Sequence, residues 1–380
     1  MKNCIKVAGN MKIHIFIAHM GVGGAERVCV NLANELAERG HEVHILVLNL
    51  DNDINTHLLN KRVEVHSLGV SRLRYSVFAM FKYIKTYQPP FLFVFGNEMA
   101  VILNKLKKLH LTKVPVIVRV LNNVEISLSK EDNISPLVEG YLKKAQKQLA
   151  DMNHVIAQCS AMGEMLLNKK LVEKEKLTVV YNPVSRDLIR KVKEIRVPNE
   201  NREDGRTYEI VFIGRIDPQK NLSHLLKAFA FVHERMKNTC LRLVGDGNVT
   251  EQMKKLAEEL NIADAVLFDG IRRDMEQVYA GADVVALSSE YEGMPNCLIE
   301  AIGCGVPVVS YDCPLGPREI IEDGVNGYLV EYNNIDELAE KLIFALNRKW
   351  QETEICKTAA KFDVTYIAGE YERIFKECAE

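Results

Sequence analysis

At 380 residues the chain is too long for one typical hydrophobic core, and it predicts two domains. With 47% hydrophobic and 26% charged residues it has the composition of a globular protein, and no apolar run approaches the roughly 18 residues that span a bilayer. The net charge is −2, and nine scattered cysteines without a C-x-x-C pair speak against a disulfide framework or a zinc site built on thiolates.

Residues 1–10 carry Lys2 and Lys6 but no apolar core of a signal peptide, so they are expected to form an extension outside the fold of a cytoplasmic protein. Residues 12–18 read as a buried strand and residues 19–27 as a glycine-rich loop. Residues 28–39 read as an amphipathic helix stopped by Gly40, and residues 43–50 as the next strand. This β-α-β opening implies a parallel sheet with helices on its faces. The pair Gly21-x-Gly23, with Asp51 after the second strand, is the pattern of a dinucleotide site, but Glu26 stands where a third glycine belongs.

Residues 72–85 form an aromatic and basic helix, and residues 104–110 add a second basic segment. Either could rest on anionic lipid headgroups, or pack on the sheet with a solvated basic face. These segments belong to an uneven charge distribution: residues 1–185 hold 24 Lys/Arg against 16 Asp/Glu, and residues 186–380 hold 25 against 35. A strand at residues 114–120 ends in Leu121-Asn122-Asn123, and strands at 154–160 and 177–184 complete a first domain over residues 11–190. Polar residues with Pro198 and Gly205 then mark a linker at 191–206.

The second domain, residues 207–362, opens with a strand at 209–213, then Gly214-Arg215-Ile216-Asp217-Pro218-Gln219-Lys220-Asn221 and a helix from Leu222. Arg215 and Lys220 flank a helix start, where free N–H groups and two cations suit a diphosphate. After Gly245-Asp246-Gly247 and a strand at 266–270, the run 282–287 is a further buried strand. Glu292-Gly293-Met294-Pro295-Asn296-Cys297-Leu298-Ile299-Glu300 follows it. Pro295 suits the first turn of a helix that Gly303 and Gly305 end. Glu300 lies about five residues inside that helix, roughly 7.5 Å along its axis, and its side chain tilts back toward Glu292. Two carboxylates beside an anion site make sense as acceptors from hydroxyls, and a sugar joined to a nucleotide diphosphate offers hydroxyls at both ends. Residues 363–380 read as a terminal helix.

The frame Glu292-Gly-x-Pro-x4-Glu300 resembles the E-x7-E signature of family 4 glycosyltransferases. The Gly-Gly-Ala-Glu loop at 23–26, the Gly-Arg-x-x-x-x-Lys-Asn run at 214–221, Gly245-Asp246-Gly247 and Tyr181-Asn182-Pro183-Val184 are similar to that family as well. The resemblance covers residues 11–380 and implies an α/β protein of two Rossmann-like, doubly wound domains facing a cleft, the GT-B fold. It implies a retaining, metal-independent transferase that needs no cofactor. The terminal helix is then expected to cross back to the first domain.

By the same resemblance, Arg215 and Lys220 hold the donor diphosphate, Glu292 orients the donor sugar, and Glu300 accepts the ribose hydroxyls. Gly214, Gly293, Met294, Asn296 and Leu298 complete the donor site, and Gly23, Gly24 and Asn123 lie on the acceptor side. Many relatives carry a histidine just ahead of the asparagine. None occupies 119–125 here, and His19 is the available substitute. The expected partners are a nucleotide-sugar donor, UDP-linked rather than GDP-linked, a glycan or polyprenyl-diphosphate acceptor, and an anionic membrane surface; no nucleic acid is expected. An NAD(P)-binding oxidoreductase and a catalytically silent sugar-nucleotide or glycolipid binding protein remain alternatives.

Overall fold

The computed structural model describes residues 9–21, 23–51, 53–121, 136–197 and 205–379. Nearly all of the expected extension at 1–10, the centre of the expected linker, and Asn123 therefore lie outside the described residues.

The N-terminal domain runs to Pro183 and resumes at Val364. It begins β1 (Lys12–Phe16), α1 (Gly24–Glu38), β2 (Glu42–Val47), β3 (Val63–Ser67), α2 (Ser76–Tyr87), β4 (Leu92–Phe95) and α3 (Asn97–Lys108). It continues with β5 (Val116–Arg119), α4 (Pro136–Lys147), β6 (His154–Ala157), α5 (Ser160–Asn168) and β7 (Leu177–Val179). The strands form one parallel sheet in the order β3-β2-β1-β4-β5-β6-β7. Strand β4 is buried along its whole length, as a central strand covered by helices on both faces must be.

The C-terminal domain spans Val184–Asp363. Its elements are α6 (Arg186–Ile195), β8 (Tyr208–Ile213), α7 (Leu222–Arg235), β9 (Thr239–Val244), α8 (Thr250–Glu259), β10 (Val266–Gly270) and α9 (Met275–Gly281). There follow β11 (Val284–Leu287), α10 (Asn296–Gly303), β12 (Val308–Tyr311), α11 (Pro317–Ile320), β13 (Gly327–Val330), α12 (Ile335–Asn347) and α13 (Glu352–Thr358). This second parallel sheet has the order β10-β9-β8-β11-β12-β13.

The domain boundary lies ahead of the expected position at residue 190. Helix α6, whose first half is expected from the sequence in the first domain and whose second half in the linker, belongs to the C-terminal domain: Ser185 caps it through Leu188 N, and Leu188 and Val192 are its buried face. Its charged residues are the solvated face of an amphipathic helix. Arg196, just beyond it, is buried and donates to the carbonyls of Tyr279, Ala280 and Ala282 at the end of α9. A cation there satisfies carbonyls that the helix leaves unpaired.

The last helix, α14 (Val364–Ala379), is part of the N-terminal domain. Ile367, Ala368, Tyr371, Ile374 and Phe375 enter the same core as Ile13, Ile15, Val43 and Ile45. The Phe375 ring stacks 4.9 Å from Phe91, and Arg39 and His41 hold Glu372 at 3.0 and 2.8 Å. Phe375→Ala is expected to destabilise this domain by about 3–5 kcal/mol, the usual cost of emptying a buried phenylalanine site. Urea denaturation followed by circular dichroism measures it.

Candidate active site

In each sheet the strand order reverses once, between β1 and β4 and between β8 and β11. Loops leaving the carboxyl ends of two such strands run in opposite directions and open a crevice where ligands of this architecture bind. In the C-terminal domain those loops are 214–221, after β8, and 288–295, after β11.

The two loops are fastened together. Glu290 N donates to Gln219 O at 2.8 Å, Gln219 Nε2 to Tyr291 O at 2.9 Å, and Ser288 Oγ to the carbonyls of Lys220 and Asn221. At the centre Lys220 Nζ stands 2.6 Å from Glu292 Oε1, which also accepts from Ser289 Oγ at 2.5 Å. Both partners are largely buried, with side chains 14% and 8% exposed. Burial disfavours the Lys220 ammonium, but the Glu292 carboxylate outweighs it and raises the lysine above its ordinary value. The lysine's share of the stability is therefore complete at the ordinary lysine value and is lost as pH rises past the raised one. Across the neutral range Lys220 is a cation.

Arg215 leaves the same loop in a different state. Its side chain is 63% exposed, pairs with Asp217 Oδ2 at 3.1 Å and reaches Gln219 Oε1 at 3.4 Å. Gly214 packs under Lys220, where a Cβ would sit 3.5 Å from Lys220 Cε. The Gly245-Asp246-Gly247 turn supports this loop from below. Ile216 N donates to Asp246 O and Val249 N to Ile216 O, and a Cβ on Gly245 or Gly247 would overlap the carbonyl oxygens of Gly214 or Ile216. That close approach is the physical reason for the two glycines.

Glu300 lies inside α10 and is buried. Its Oε2 accepts from the Tyr279 hydroxyl at 2.7 Å. Tyr279, on α9, is a positioning residue that sequence reasoning missed, because nothing in the apolar spacing of a short helix says that a tyrosine will meet a carboxylate. Helix α10 starts one residue later than expected, with Pro295 as its N-cap and Asn296 as its first residue. Met294 ahead of the helix and Leu298 within it are buried, and Gly316, at φ +86°, brings the next loop against Gly293 and Pro295. Burial pushes the Cys297 thiol up to about 12, against the pull of Lys220, so it is no nucleophile at neutral pH.

In the N-terminal domain the loop after β1 carries His19 and leads into α1 at Gly24. Glu26 folds back over Gly23, where a Cβ would overlap its carboxylate, and pairs with His19 Nδ1 at 3.0 Å. The acid that breaks the dinucleotide pattern thus holds the histidine, and Asp51 is exposed in a turn beyond β2.

Two family models match the chain, Glycosyl transferases group 1 over residues 193–362 and Glycosyltransferase Family 4 over residues 22–188. Each matches one of the two parallel-sheet domains. The chain belongs to the family 4 glycosyltransferases. An uncharacterized glycosyltransferase of Haemophilus influenzae is 26% identical over 353 residues, 88% of this chain and 90% of that one. The N-acetylgalactosamine-N,N'-diacetylbacillosaminyl-diphospho-undecaprenol 4-alpha-N-acetylgalactosaminyltransferase of Campylobacter jejuni is 26% identical over 378 residues, 94% and 97% of the two chains.

Among solved structures, the Anabaena protein HepE in complex with UDP and glucose superposes with a TM-score of 0.77 at 21% identity, covering 97% of this chain and 100% of that one. The fold is GT-B, two Rossmann-like domains in one glycosyltransferase, and the oxidoreductase alternative gains nothing from these comparisons. In this glycosyltransferase Gly247→Ala is expected to cost about 1–3 kcal/mol, because the 214–216 backbone must move aside. The buried Trp350 of the C-terminal domain reports it as an earlier loss of fluorescence in urea.

Proposed function

We propose that this glycosyltransferase moves a hexose or N-acetylhexosamine from a nucleotide-diphosphate sugar, UDP-linked rather than GDP-linked, to a lipid-linked glycan or polysaccharide precursor. Transfer retains the anomeric configuration and uses no metal. The observation that carries the donor side is the Lys220–Glu292 pair at the strand-order reversal, a cation kept charged and desolvated in the place where a phosphate would bind.

Breaking the bond between sugar and phosphate leaves negative charge on the departing diphosphate. Lys220 stabilises it from a fixed position, and the exposed Arg215 closes on it from solvent. The acceptor hydroxyl attacks the anomeric carbon on the face the phosphate leaves, and its proton passes to that phosphate. Glu292 holds Lys220 and orients the sugar, with Gly293, Met294 and Asn296 around it. Glu300, steadied by Tyr279, accepts from the ribose hydroxyls. Gly214 and Leu298 shape the donor site. Gly23 and Gly24 face the acceptor, with Asn123 in the same role, and His19, paired with Glu26, substitutes for the histidine that many relatives carry just ahead of that asparagine.

The Campylobacter relative, named as an N-acetylgalactosaminyltransferase acting on a diphospho-undecaprenol glycan, and the UDP bound to HepE support this choice of substrates. No described helix is long and apolar enough to cross a membrane. A lipid-linked acceptor then calls for peripheral contact at the cytoplasmic face, and the surface at α2 suits it. Phe78 and Tyr75 are 77% and 57% exposed, among Arg72, Arg74, Lys82 and Lys85.

Lys220→Ala is expected to lower kcat by about 10²- to 10³-fold, the loss typical of a removed oxyanion partner. Glu300→Ala is expected to weaken UDP binding by roughly 10- to 100-fold, as for a lost hydrogen bond to a charged group. Steady-state rates with a panel of UDP- and GDP-sugars, in buffer containing EDTA, together with calorimetric titration of UDP, check both. Wild-type behaviour of the two variants refutes the assignment, and loss of wild-type turnover in EDTA refutes the metal-free reaction. Phe78→Asp is expected to abolish co-sedimentation with vesicles containing phosphatidylglycerol while leaving UDP affinity unchanged.

A further inference from the structure

A second group of reactive side chains lies in the N-terminal domain, on β1, β2 and β3. The register pairs His14 with His44 across β1 and β2, and His44 with Glu64 and Leu46 with His66 across β2 and β3. Side chains alternate between the faces of a sheet. Ile13, Ile15, Val43, Ile45, Val63 and Val65 take the face packed by α1 and α14, so His14, Glu42, His44, Glu64 and His66 share the other. The His14 and His44 rings stack at 4.5 Å and those of His44 and His66 at 5.2 Å, and Tyr83 and Tyr87 of α2 close over them.

Three donor atoms converge. His44 Nδ1 is 3.0 Å from His66 Nε2 and 3.3 Å from Glu64 Oε2, and His66 Nε2 is 3.5 Å from the same oxygen. Ligands about 2.0–2.2 Å from a tetrahedral zinc stand roughly 3.3–3.6 Å from one another. The three atoms are therefore already spaced close to one face of such a tetrahedron. The outer contacts agree with this. His44 Nε2 lies 2.7 Å from Glu42 Oε1, which Lys12 Nζ holds at 3.0 Å. A proton on Nε2, donated to Glu42, leaves the Nδ1 lone pair directed at the other two ligands, the usual support for a metal-bound imidazole. Glu64 is 64% exposed and gives an ion a path in and room for water in a fourth position.

We propose that His44, Glu64 and His66 bind one zinc ion, which ties the edge strand β3 to β2. Two imidazoles, one carboxylate and an open fourth position suit zinc, and the site contains no thiolate. It is separate from the donor site and its role is structural.

The test uses the full chain stripped with EDTA and dialysed, then titrated with zinc sulfate against a chromophoric chelator, with thermal melting in parallel. One zinc per chain is expected, at micromolar affinity or tighter, with a higher melting temperature in the wild type. His66→Ala and Glu64→Gln should each bind at least tenfold more weakly and lose the zinc-induced shift. Because Glu64 is exposed, Glu64→Gln keeps the fold, and unchanged UDP affinity verifies it. Cobalt in place of zinc should give visible d–d bands without a thiolate charge-transfer band. Failure to bind zinc, equal affinity in both variants, or a thiolate band overturns the proposal. The UDP measurement reports on the transferase reading separately.

Discussion

Lys220 and Glu292 come from loops that follow two neighbouring strands, and their ion pair joins those loops into one surface. Taking two charges out of water is costly, and a buried pair persists only where further hydrogen bonds help it. Here Ser289 donates to the carboxylate, while Ser288 and Gln219 pin the backbone on either side. The arrangement holds a largely buried cation in a fixed place, the preorganisation that the proposed stabilisation of a leaving phosphate requires. Arg215 leaves the same loop mostly in solvent, paired with Asp217.

Both domains are built alike and carry different side chains at the same place. Each is a parallel sheet whose order reverses once, and each carries a glycine-bearing loop at that reversal. In the C-terminal domain the loop presents Lys220 against Glu292. In the N-terminal domain it presents His19 against Glu26. A single residue choice, an acid in place of the third glycine, turns a dinucleotide-like loop into a seat for a histidine.

The sequence carried a good deal of this. Local periodicity announced the strands and the β-α alternation, and the acids 292 and 300 stood out because their spacing is encoded along one short stretch. What it did not carry are contacts between residues far apart in the chain. Tyr279 meets Glu300 only because α9 and α10 flank the same strand, and Arg196 caps α9 from a segment that reads as a linker. The histidines at 14, 44 and 66 look unrelated until the register of three strands aligns them. Cysteine spacing, the usual guide to zinc, says nothing about a site made of imidazoles. Polar composition also misled at α6, where the amphipathic period outweighs the average.

The return of α14 to the N-terminal core makes the C-terminal domain an insertion within the other. A ribosome releases Val184–Asp363 while the N-terminal core still lacks Tyr371, Ile374 and Phe375. The inserted domain has all its strands by then and is able to fold first, whereas its host lacks the residues that pack on α1 until α14 has emerged. The domain that leaves the exit tunnel first is the last to finish, and a chain stopped ahead of α14 gives a substrate for chaperones in place of an enzyme.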